Sequence, residues 1–438
     1  MRIAWIGGAT GGGGVGGLGR DLLRGLLGRG HEVVVFALND LAEVAAIVLD
    51  GMAEEERGRL RVVSRPARWE WGRWYSRHPM TTFVSSFWAR KRAYGRLVRD
   101  VVAEHRRRPF DVLVQFSQIE LFGLRRHLGE LPPLVLFPCV HAAGELRWHR
   151  RESRYARQSE PAWRHWLVRM NLMHRSWLQA HSARAAAGVI GMSRRFNELI
   201  ADDYGVRTER QAVVYQPVDR VVCEDDESER AGTVRLLSVG RISVRKGVDL
   251  IVPLSHRLSD LAGKVELEVV GAPSFWSDYS RHLRNLSASV AKWRGAAPHA
   301  DVLRAMARAD VLVVPSRYEP GGIVVAEALA RGCVVVASDE VGSAEPVEGA
   351  AIYRFRDGDL DDLERAVRAA VGAVRLDSSA ARRTARSEAA RCFNVIDMIC
   401  RLETALRNAA KGVPIGSGRI DTVGRNLLPP TLPVVGRR

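Results

Sequence analysis

Two acidic residues, Glu319 and Glu327, have the spacing in this chain that is most suggestive of ligand chemistry. Residues 309–315 read as a short buried strand, and apolar residues recur at helical density from Gly322 to Gly332. Glu319 therefore lies in a strand-to-helix turn, where free backbone N–H groups favour a phosphate. A carboxylate on so apolar a helix is costly unless something satisfies it, and ribose hydroxyls would satisfy Glu327. Exposure of Glu327 to solvent is the alternative interpretation.

A pair of cations, Arg241 and Lys246, follows the predicted strand 234–239, with Gly240 before the pair and Gly247 after it. Beside the Glu319 turn, these cations would offset a diphosphate and stabilise the charge that develops on a leaving group. We therefore expect neither a metal nor any other cofactor. A basic pair in a turn can also be solvated surface.

His141 follows the predicted strand 134–139. A residue just beyond the carboxyl end of a parallel strand lies where α/β clefts bind ligands, and histidine titrates near neutrality. A structural or exposed role is the alternative for a histidine in a loop.

The acidic triplet from Asp357 to Asp359 has the Asp-x-Asp form that can hold a divalent metal. It precedes an amphipathic helical pattern, so Asp359 is interpreted as a helix N-cap or first-turn acid.

The glycine-rich run after the first predicted strand contains Gly14, Gly16 and Gly19 as Gly-x-Gly-x-x-Gly. In dinucleotide-binding folds the first glycine follows the strand directly, whereas here Gly14 comes seven residues after Gly7. We therefore expect a long loop rather than an NAD site.

The bulk properties suit a two-domain protein of 438 residues with a formal charge of +16. The five cysteines are scattered and form no Cys-x-x-Cys pair, so neither a disulfide framework nor a zinc site is predicted. No apolar run has the length of a bilayer span, and the chain starts with a strand pattern rather than a charged leader. A cytoplasmic location is expected.

Two basic segments, 66–110 and 145–184, contain eight of the eleven tryptophans. Basic side chains mixed with tryptophan suit an anionic membrane surface, which would place the protein peripherally at the inner membrane face. A cleft that stacks sugars or bases, and ordinary solvated helix faces, are the alternatives.

Predicted strands alternate with helices through both halves of the chain, which indicates an α/β protein with parallel sheets covered on both faces. In the first half the predicted elements are strand 2–6, helix 19–27, strand 31–36, helix 89–104, strands 111–115 and 134–139, helix 163–187, strand 188–192, helix 194–203 capped by Ser193, and strand 211–215. The acidic stretch 222–232 is the predicted domain boundary. A last helix is predicted over 394–408, and after Gly412 the chain shows no periodicity and is predicted to be loop or disordered.

The run from Glu319 to Glu327, followed by Ala-Leu-Ala-x-Gly, resembles the retaining glycosyltransferases of family 4, which have the GT-B fold. Other segments follow in the order typical of that family, and the resemblance is strong over 235–349, weak over the first 220 residues and absent from about the last 30. These segments are Gly240-Arg241 with Lys246-Gly247, then 267–271, 293–295 and 302–310. One departure is Gly321, where the family more often has a bulkier residue such as Phe.

The resemblance implies two Rossmann-like domains that face each other across a cleft. These would be an acceptor-binding domain (1–222), a nucleotide-sugar domain (223–391), a helix that returns to the first domain (392–411) and a tail (412–438). By the same resemblance, the catalytic residues would be His141, Glu319, Arg241 and Lys246. The donor would be bound by Gly16, Gly17, Gly271, Gly322, Ile323, Val324 and Glu327.

The implied activity is metal-independent transfer of a hexose, with retention, from a UDP- or GDP-sugar to an acceptor hydroxyl. The acceptor would be a glycan, a lipid-linked molecule or a polysaccharide precursor, and no nucleic acid partner is expected. A non-catalytic sugar-nucleotide or glycan binder, or a basic nucleic-acid-binding protein, are the alternatives.

Overall fold

A computed structural model shows two domains, each built on a parallel sheet with helices on both faces. It describes residues 1–7, 14–38, 48, 52–65, 79–156, 161–218, 232–273 and 279–416. The glycine loop 8–13, three of the tryptophans (Trp69, Trp71 and Trp74), nearly all of the predicted boundary 222–232 and the tail from 417 lie outside these ranges.

The first sheet has seven parallel strands in the order β3-β2-β1-β4-β5-β6-β7. Its strands are β1 (Arg2–Ile6), β2 (Glu32–Ala37), β3 (Leu60–Ser64), β4 (Val112–Ser117), β5 (Leu134–Pro138), β6 (Gly188–Gly191) and β7 (Gln211–Val213). The helices of the first domain are α1 (Gly14–Gly28), α2 (Glu54–Arg57), α3 (Pro79–Arg107), α4 (Ala142–Ala156), α5 (Ala162–Ala185) and α6 (Arg194–Tyr204).

The second sheet has six parallel strands in the order β10-β9-β8-β11-β12-β13. Its strands are β8 (Val234–Val239), β9 (Val265–Val270), β10 (Ala291–Gly295), β11 (Val311–Val314), β12 (Val334–Ser338) and β13 (Ile352–Phe355). The remaining helices are α7 (Val248–Arg257), α8 (His299–Arg308), α9 (Val324–Ala330), α10 (Leu360–Leu376), α11 (Ser378–Cys392) and α12 (Val395–Ala410).

Both faces of the first sheet are buried, as expected of a parallel sheet between helical layers. On β1, Trp5 lies opposite Val35 of β2 and Val114 of β4, and it belongs to one core cluster. Ala4 and Ile6, which point to the other face, belong to a second cluster. The strict alternation of a strand thus divides the first domain into two cores, whereas the described apolar residues of the second domain form one.

The last helix of the chain, α12, packs against α1, β4 and β5 of the first domain. Leu402 and Leu406 are fully buried in the core around Trp5. Glu403 is buried beside them, with its carboxylate 2.8 Å from His31 Nε2. Because α11 packs on the second domain, the chain crosses between the domains a second time just before α12.

Several predicted boundaries were wrong. The helix predicted over 19–27 begins at Gly14, so packing overrides the low helix propensity of glycine there. The helix predicted from Gly322 begins only at Val324, as the low propensity of glycine favours. Strand 309–315 shortens to Val311–Val314. Residues 413–416 form no helix or strand, as predicted for the chain after Gly412, and Ile415 is nevertheless buried against Gly188 in the first-domain core.

Two capping predictions are confirmed. The Ser193 hydroxyl accepts a hydrogen bond of 2.9 Å from the Phe196 N–H at the start of α6. The Asp359 carboxylate accepts from the N–H groups of Asp361 and Asp362 at the start of α10.

Within the described ranges, no helix is both long and apolar enough to cross a bilayer.

If α12 is part of the first-domain core, Leu402→Ala will lower the free energy of unfolding by about 2–5 kcal/mol, because it removes a fully buried side chain. Chemical denaturation monitored by tryptophan fluorescence measures this. Leu376→Ala, at a side chain that is 89% exposed, is the matched control and should change nothing. Equal stability of the two variants would show that α12 does not belong to the core.

His149 is buried on α4 and stacks on His165 of α5, with 5.4 Å between ring centroids. Because of this histidine, the free energy of unfolding should fall as the pH is lowered. Burial, and then the charge of His165, lower the pKa of His149 from 6.5 to about 4. Below pH 6.5 the unfolded chain therefore binds more protons than the folded chain, and stability declines until about pH 4. From pH 7.5 to 5 this contribution is about 2 kcal/mol. His149→Leu should flatten this decline, whereas His282→Leu, at an exposed histidine, should leave it unchanged.

Candidate functional site

A cavity of about 140 Å³ lies between the domains, where strands of both sheets end. Its first-domain lining includes His141, just after β5, and Met192, just after β6. Its second-domain lining includes Arg241, just after β8, and Glu319, in the loop after β11. Carboxyl ends of parallel strands are where open α/β sheets bind ligands. Two such edges face each other here.

The loop after β8 brings its cations to the Glu319 turn. A short 3-10 helix, Val244–Lys246, leads into Gly247, which has a φ of +70°. A Cβ at Gly247 would lie 1.7 Å from the carbonyl oxygen of Pro315, so only glycine permits this approach of the two loops. As a result, Lys246 forms an ion pair with Glu319.

The charge environment of Lys246 is unusual. Burial, and then the guanidinium groups of Arg245 and Arg241, lower the pKa of Lys246 well below its ordinary range. The Glu319 carboxylate opposes this effect. A second anion in the cleft, such as a diphosphate, would stabilise all three cations together.

Arg245 was not predicted as a site residue, although it lies between Arg241 and Lys246. Its backbone N–H donates to the Glu152 carboxylate at 2.5 Å, and its guanidinium lies 3.7 Å from Glu145. Both acids belong to α4 of the first domain, seven residues apart and so on one helix face. That spacing was the available signal in the sequence. The two contacts show that carboxylates of the first domain hold the cationic loop of the second domain.

His141 is buried, and both of its ring nitrogens have partners. Nδ1 is 2.9 Å from the Tyr318 hydroxyl and Nε2 is 2.8 Å from Asp203 Oδ2. Burial opposes ionisation of Asp203, but His141 and Arg147 lower the pKa of this carboxyl to about 2. His141 therefore links an anion of the first domain to a tyrosine next to Glu319. Neither Asp203 nor Tyr318 had a signal in the sequence that marked it for this role.

Glu327 is buried on α9, so its exposure to solvent, the alternative raised by the sequence, is wrong. Its Oε1 lies 2.8 Å from Nε2 of His299, whose own side chain is 65% exposed at the start of α8. The carboxylate thus meets a polar partner at the protein surface, where a ligand hydroxyl could also reach it. His299 was not predicted.

The Gly321 departure has a structural explanation. A Cβ at Gly321 would lie 2.8 Å from both Cβ and Cε of Met192 in the first domain. Met192 thus occupies space that a bulky residue at position 321 would otherwise fill. The apolar surface on this side of the cavity is supplied from across the domain interface.

The glycines predicted to bind the donor have different surroundings. The peptide at Gly322 lies against the Glu319 carboxylate, and Ile323 and Val324 form the first turn of α9. Gly271 makes a backbone contact instead, since its N–H donates to the Gly295 carbonyl at 2.8 Å. Gly16 and Gly17 lie in the first turns of α1, beyond the carboxyl end of β1, and no atom of the described residues lies within 4 Å of a Cβ placed on Gly17.

Direct hydrogen bonds also join the domains beside the cavity. The Ser193 hydroxyl donates to the Pro320 carbonyl, one residue after Glu319. The carboxylate of Glu345 accepts from the N–H groups of Arg194 and Arg195, at 2.8 and 2.6 Å. A second-domain acid therefore satisfies the first turn of α6, where a negative charge is favourable.

Among the described residues, no group of three or more His, Cys, Asp or Glu side chains could hold a metal ion. Asp357 lies 3.6 Å from Arg317, and burial raises the pKa of this acid.

Residues 224–373 match the family model described as "Glycosyl transferases group 1". The second domain is thus similar to the group 1 glycosyltransferases over most of its length. All the second-domain site residues named above lie inside this match.

Two curated proteins are similar to parts of this chain. A glycogen synthase of Mycobacterium tuberculosis is 30% identical over 227 residues, which cover 51% of this chain and 52% of the relative. A D-inositol 3-phosphate glycosyltransferase of Geodermatophilus obscurus is 34% identical over 205 residues, which cover 42% and 46%. The chain thus spans about half the length of the curated relatives that it matches.

Solved structures show that the fold of this chain is GT-B. Anabaena HepE, solved in complex with UDP, covers 93% of this chain and all of its own, with a TM-score of 0.61 and 18% identity. WaaG, a glycosyltransferase involved in lipopolysaccharide biosynthesis, covers 93% and 98%, with a TM-score of 0.56 and 19% identity.

If the cation cluster is an anion site, pyrophosphate will raise the melting temperature of the protein. Arg241→Gln should weaken this binding about tenfold, because one charge-assisted contact contributes about 1.5–3 kcal/mol. The Arg241 side chain is exposed in the cleft, so the melting temperature without pyrophosphate should not change. Lys264→Gln, at an exposed lysine in the turn before β9, is the control. An equal pyrophosphate shift in both variants would argue against an anion site at Arg241.

Proposed function

We propose that this protein is a group 1 glycosyltransferase that transfers a hexose from a UDP- or GDP-sugar to an acceptor hydroxyl, with retention of configuration and without a divalent metal. The observation that carries the proposal is the cleft assembly, in which Arg241, Lys246 and Glu319 come together at the carboxyl ends of facing sheets. The glycosyltransferase names of the curated relatives support transfer as the reaction class.

The nucleotide half of the donor is assigned to the second domain. Glu327 is proposed to bind the ribose, since its buried carboxylate already meets a polar group, His299, at the surface. The backbone at Gly322, Ile323 and Val324 is proposed to contact the diphosphate. HepE was solved with UDP and with UDP-glucose, which makes a uridine nucleotide the first donor to test.

The cations are proposed to act on the leaving group. As the bond between the anomeric carbon and the diphosphate oxygen breaks, negative charge grows on the diphosphate, and Arg241 and Lys246 would stabilise it. These fixed cations can fill the electrostatic role of a metal, which is the basis for proposing metal independence. The acceptor oxygen would bond to the same face of the sugar, and its proton would pass to the departing diphosphate.

Glu319 and His141 are proposed to position the sugar. When a diphosphate shares Lys246, the Glu319 carboxylate can accept hydrogen bonds from sugar hydroxyls. His141, which lines the same cavity, would stand near the anomeric carbon with its ring held by Tyr318 and Asp203. Gly16 and Gly17 would approach the diphosphate from α1, and Gly271 would line the donor side.

The acceptor is assigned to the first domain, and a lipid-linked or polysaccharide precursor is proposed. The neighbour WaaG acts in lipopolysaccharide biosynthesis, and WaaB is a lipopolysaccharide outer core galactosyltransferase. Glycan acceptors are the broader class that includes both of these precursors.

The test is isothermal titration with UDP, GDP and ADP, with NAD as a negative control. One diphosphate should bind with micromolar affinity, and Glu327→Gln should weaken it about 10- to 100-fold through loss of charged hydrogen bonds. Glu348→Gln, at a carboxylate that is 80% exposed, is the matched control and should bind normally.

Turnover then separates an enzyme from a binder. Release of the nucleotide from a panel of UDP- and GDP-sugars, measured with EDTA present, should fall about 10²–10³-fold in Lys246→Gln. The anomeric configuration of the product, read by NMR, should match that of the donor. Binding without turnover would favour the non-catalytic sugar-nucleotide binder, and absence of nucleotide binding would overturn the proposal.

A further inference from the structure

Helix α5 carries its largest apolar residues on the outside. Along its exposed face run five large side chains, which we call the tryptophan stripe: Trp163, Trp166, Met170, Met173 and Trp177. The three tryptophans are 54%, 59% and 56% exposed. Their steps of three and four residues align them along one side of the helix. Scattered exposed apolar residues are ordinary, but a continuous exposed row on one helix marks an interaction surface.

The inward face of α5 is largely polar instead. Val168 and Leu172 are buried there and pack against Leu146, but most of the buried residues are polar: His165, Asn171, Arg175, Gln179 and Ser182. Arg175 and Gln179 both donate to the buried carboxylate of Glu120, at 2.7 and 3.0 Å. The polar side of α5 thus makes hydrogen bonds within the domain, whereas the largest apolar side chains of the helix are exposed. The usual arrangement of a surface helix is the opposite.

The aromatic surface extends onto α3. Trp88, which is 49% exposed, stacks on His174, and His174 stacks on Trp177, with ring centroids 6.0 and 6.2 Å apart. These aromatic contacts tie the two helices into one broad face. Aromatic rings with a polar edge are the side chains that favour the boundary between lipid headgroups and acyl chains.

The charge of this face is of one sign. The 24 residues of α5 contain no acid, and α3 contains none before Asp100. Lys91 lies over the ring of Trp88 at 4.7 Å, and Arg164 lies over Trp163 at 5.2 Å. Cations above interfacial tryptophans are placed to meet negative headgroups while the rings enter the apolar layer.

We propose that the tryptophan stripe, together with Trp88, is a docking surface for an anionic lipid bilayer. Charge complementarity selects this occupant. A second copy of the chain would bring two basic faces together, which costs binding free energy. A nucleic acid would match the charge, but the two methionines in the middle of the stripe suit acyl chains better than base stacking. The inference does not depend on the proposed reaction.

The position of the stripe is compatible with access to the cleft. Helix α5 packs against α4, whose Glu145 lines the cavity and whose Glu152 binds the Arg245 backbone. An enzyme held to a membrane through α5 would therefore present the acceptor domain to that membrane.

The test is vesicle flotation of the full chain with phosphatidylcholine vesicles, with and without phosphatidylglycerol, over a salt series. We expect binding that requires phosphatidylglycerol and weakens as salt rises. The triple variant Trp163→Ser, Trp166→Ser, Trp177→Ser should lose at least tenfold in vesicle affinity. Brominated lipids should quench the tryptophan fluorescence of the wild type and have little effect on the variant.

Leu376→Ser is the control, since it removes another exposed apolar side chain, at 89% exposure, from the second domain. Its vesicle binding should equal that of the wild type. Circular dichroism shows whether each variant is folded. Nucleotide titration tests the donor assignment, so its failure can be distinguished from a loss of vesicle binding.

Three results would overturn the proposal. The first is unchanged vesicle binding in the triple variant. The second is a wild-type dimer, detected by light scattering, that becomes a monomer in the triple variant while vesicles are not bound, which would assign the stripe to a second copy. The third is oligonucleotide binding that the triple variant abolishes while vesicles are not bound, which would assign the surface to nucleic acid.

Discussion

The arrangement of the cleft depends on the pairing of Lys246 with Glu319. A partly buried ammonium group flanked by two guanidinium groups needs anions around it, since burial and like charges both disfavour its charged form. Glu319 supplies one of those anions from the adjacent loop. Because Gly247 allows the two loops to touch, the pair also determines how closely the ends of β8 and β11 approach. A diphosphate is the kind of ligand that could share this lysine and release the carboxylate for another task.

Ion pairs and hydrogen bonds to charged groups also join the two domains. Glu152 and Glu145 of the first domain contact Arg245, while Glu345 of the second domain caps helix α6 of the first. Each domain thus satisfies polar groups of the other beside the cavity. His141 and Tyr318 form a further contact of this kind within the cavity lining. The position of the domains is therefore coupled to the electrostatics of the cleft, because separating them would leave buried donors and acceptors without partners.

Helix α5 illustrates how one element can serve two environments. Its buried polar residues form a network around Glu120, and Val168 and Leu172 add a small apolar contact, so the helix is anchored without using its largest apolar side chains. This leaves the tryptophans and methionines available at the surface of the first domain. A composition rich in Arg and Trp is compatible with several kinds of surface, and only the direction of each side chain distinguishes them.

The sequence by itself determined the alternation of strands and helices, the second-domain strand 234–239, the caps at Ser193 and Asp359, and the similarity of the second domain to group 1 glycosyltransferases. These features follow from local periodicity, local hydrogen bonding and a motif confined to a short stretch of chain. Only the tertiary structure decided that Glu327 is buried beside His299, that Met192 occupies the space next to Gly321, and that acids of α4 hold Arg245. It also decided that Ile415 packs in the first-domain core and that the tryptophans of α5 face outward. Each of these depends on residues far apart in the chain, and their contacts arise from the packing of whole elements, which local pattern does not encode.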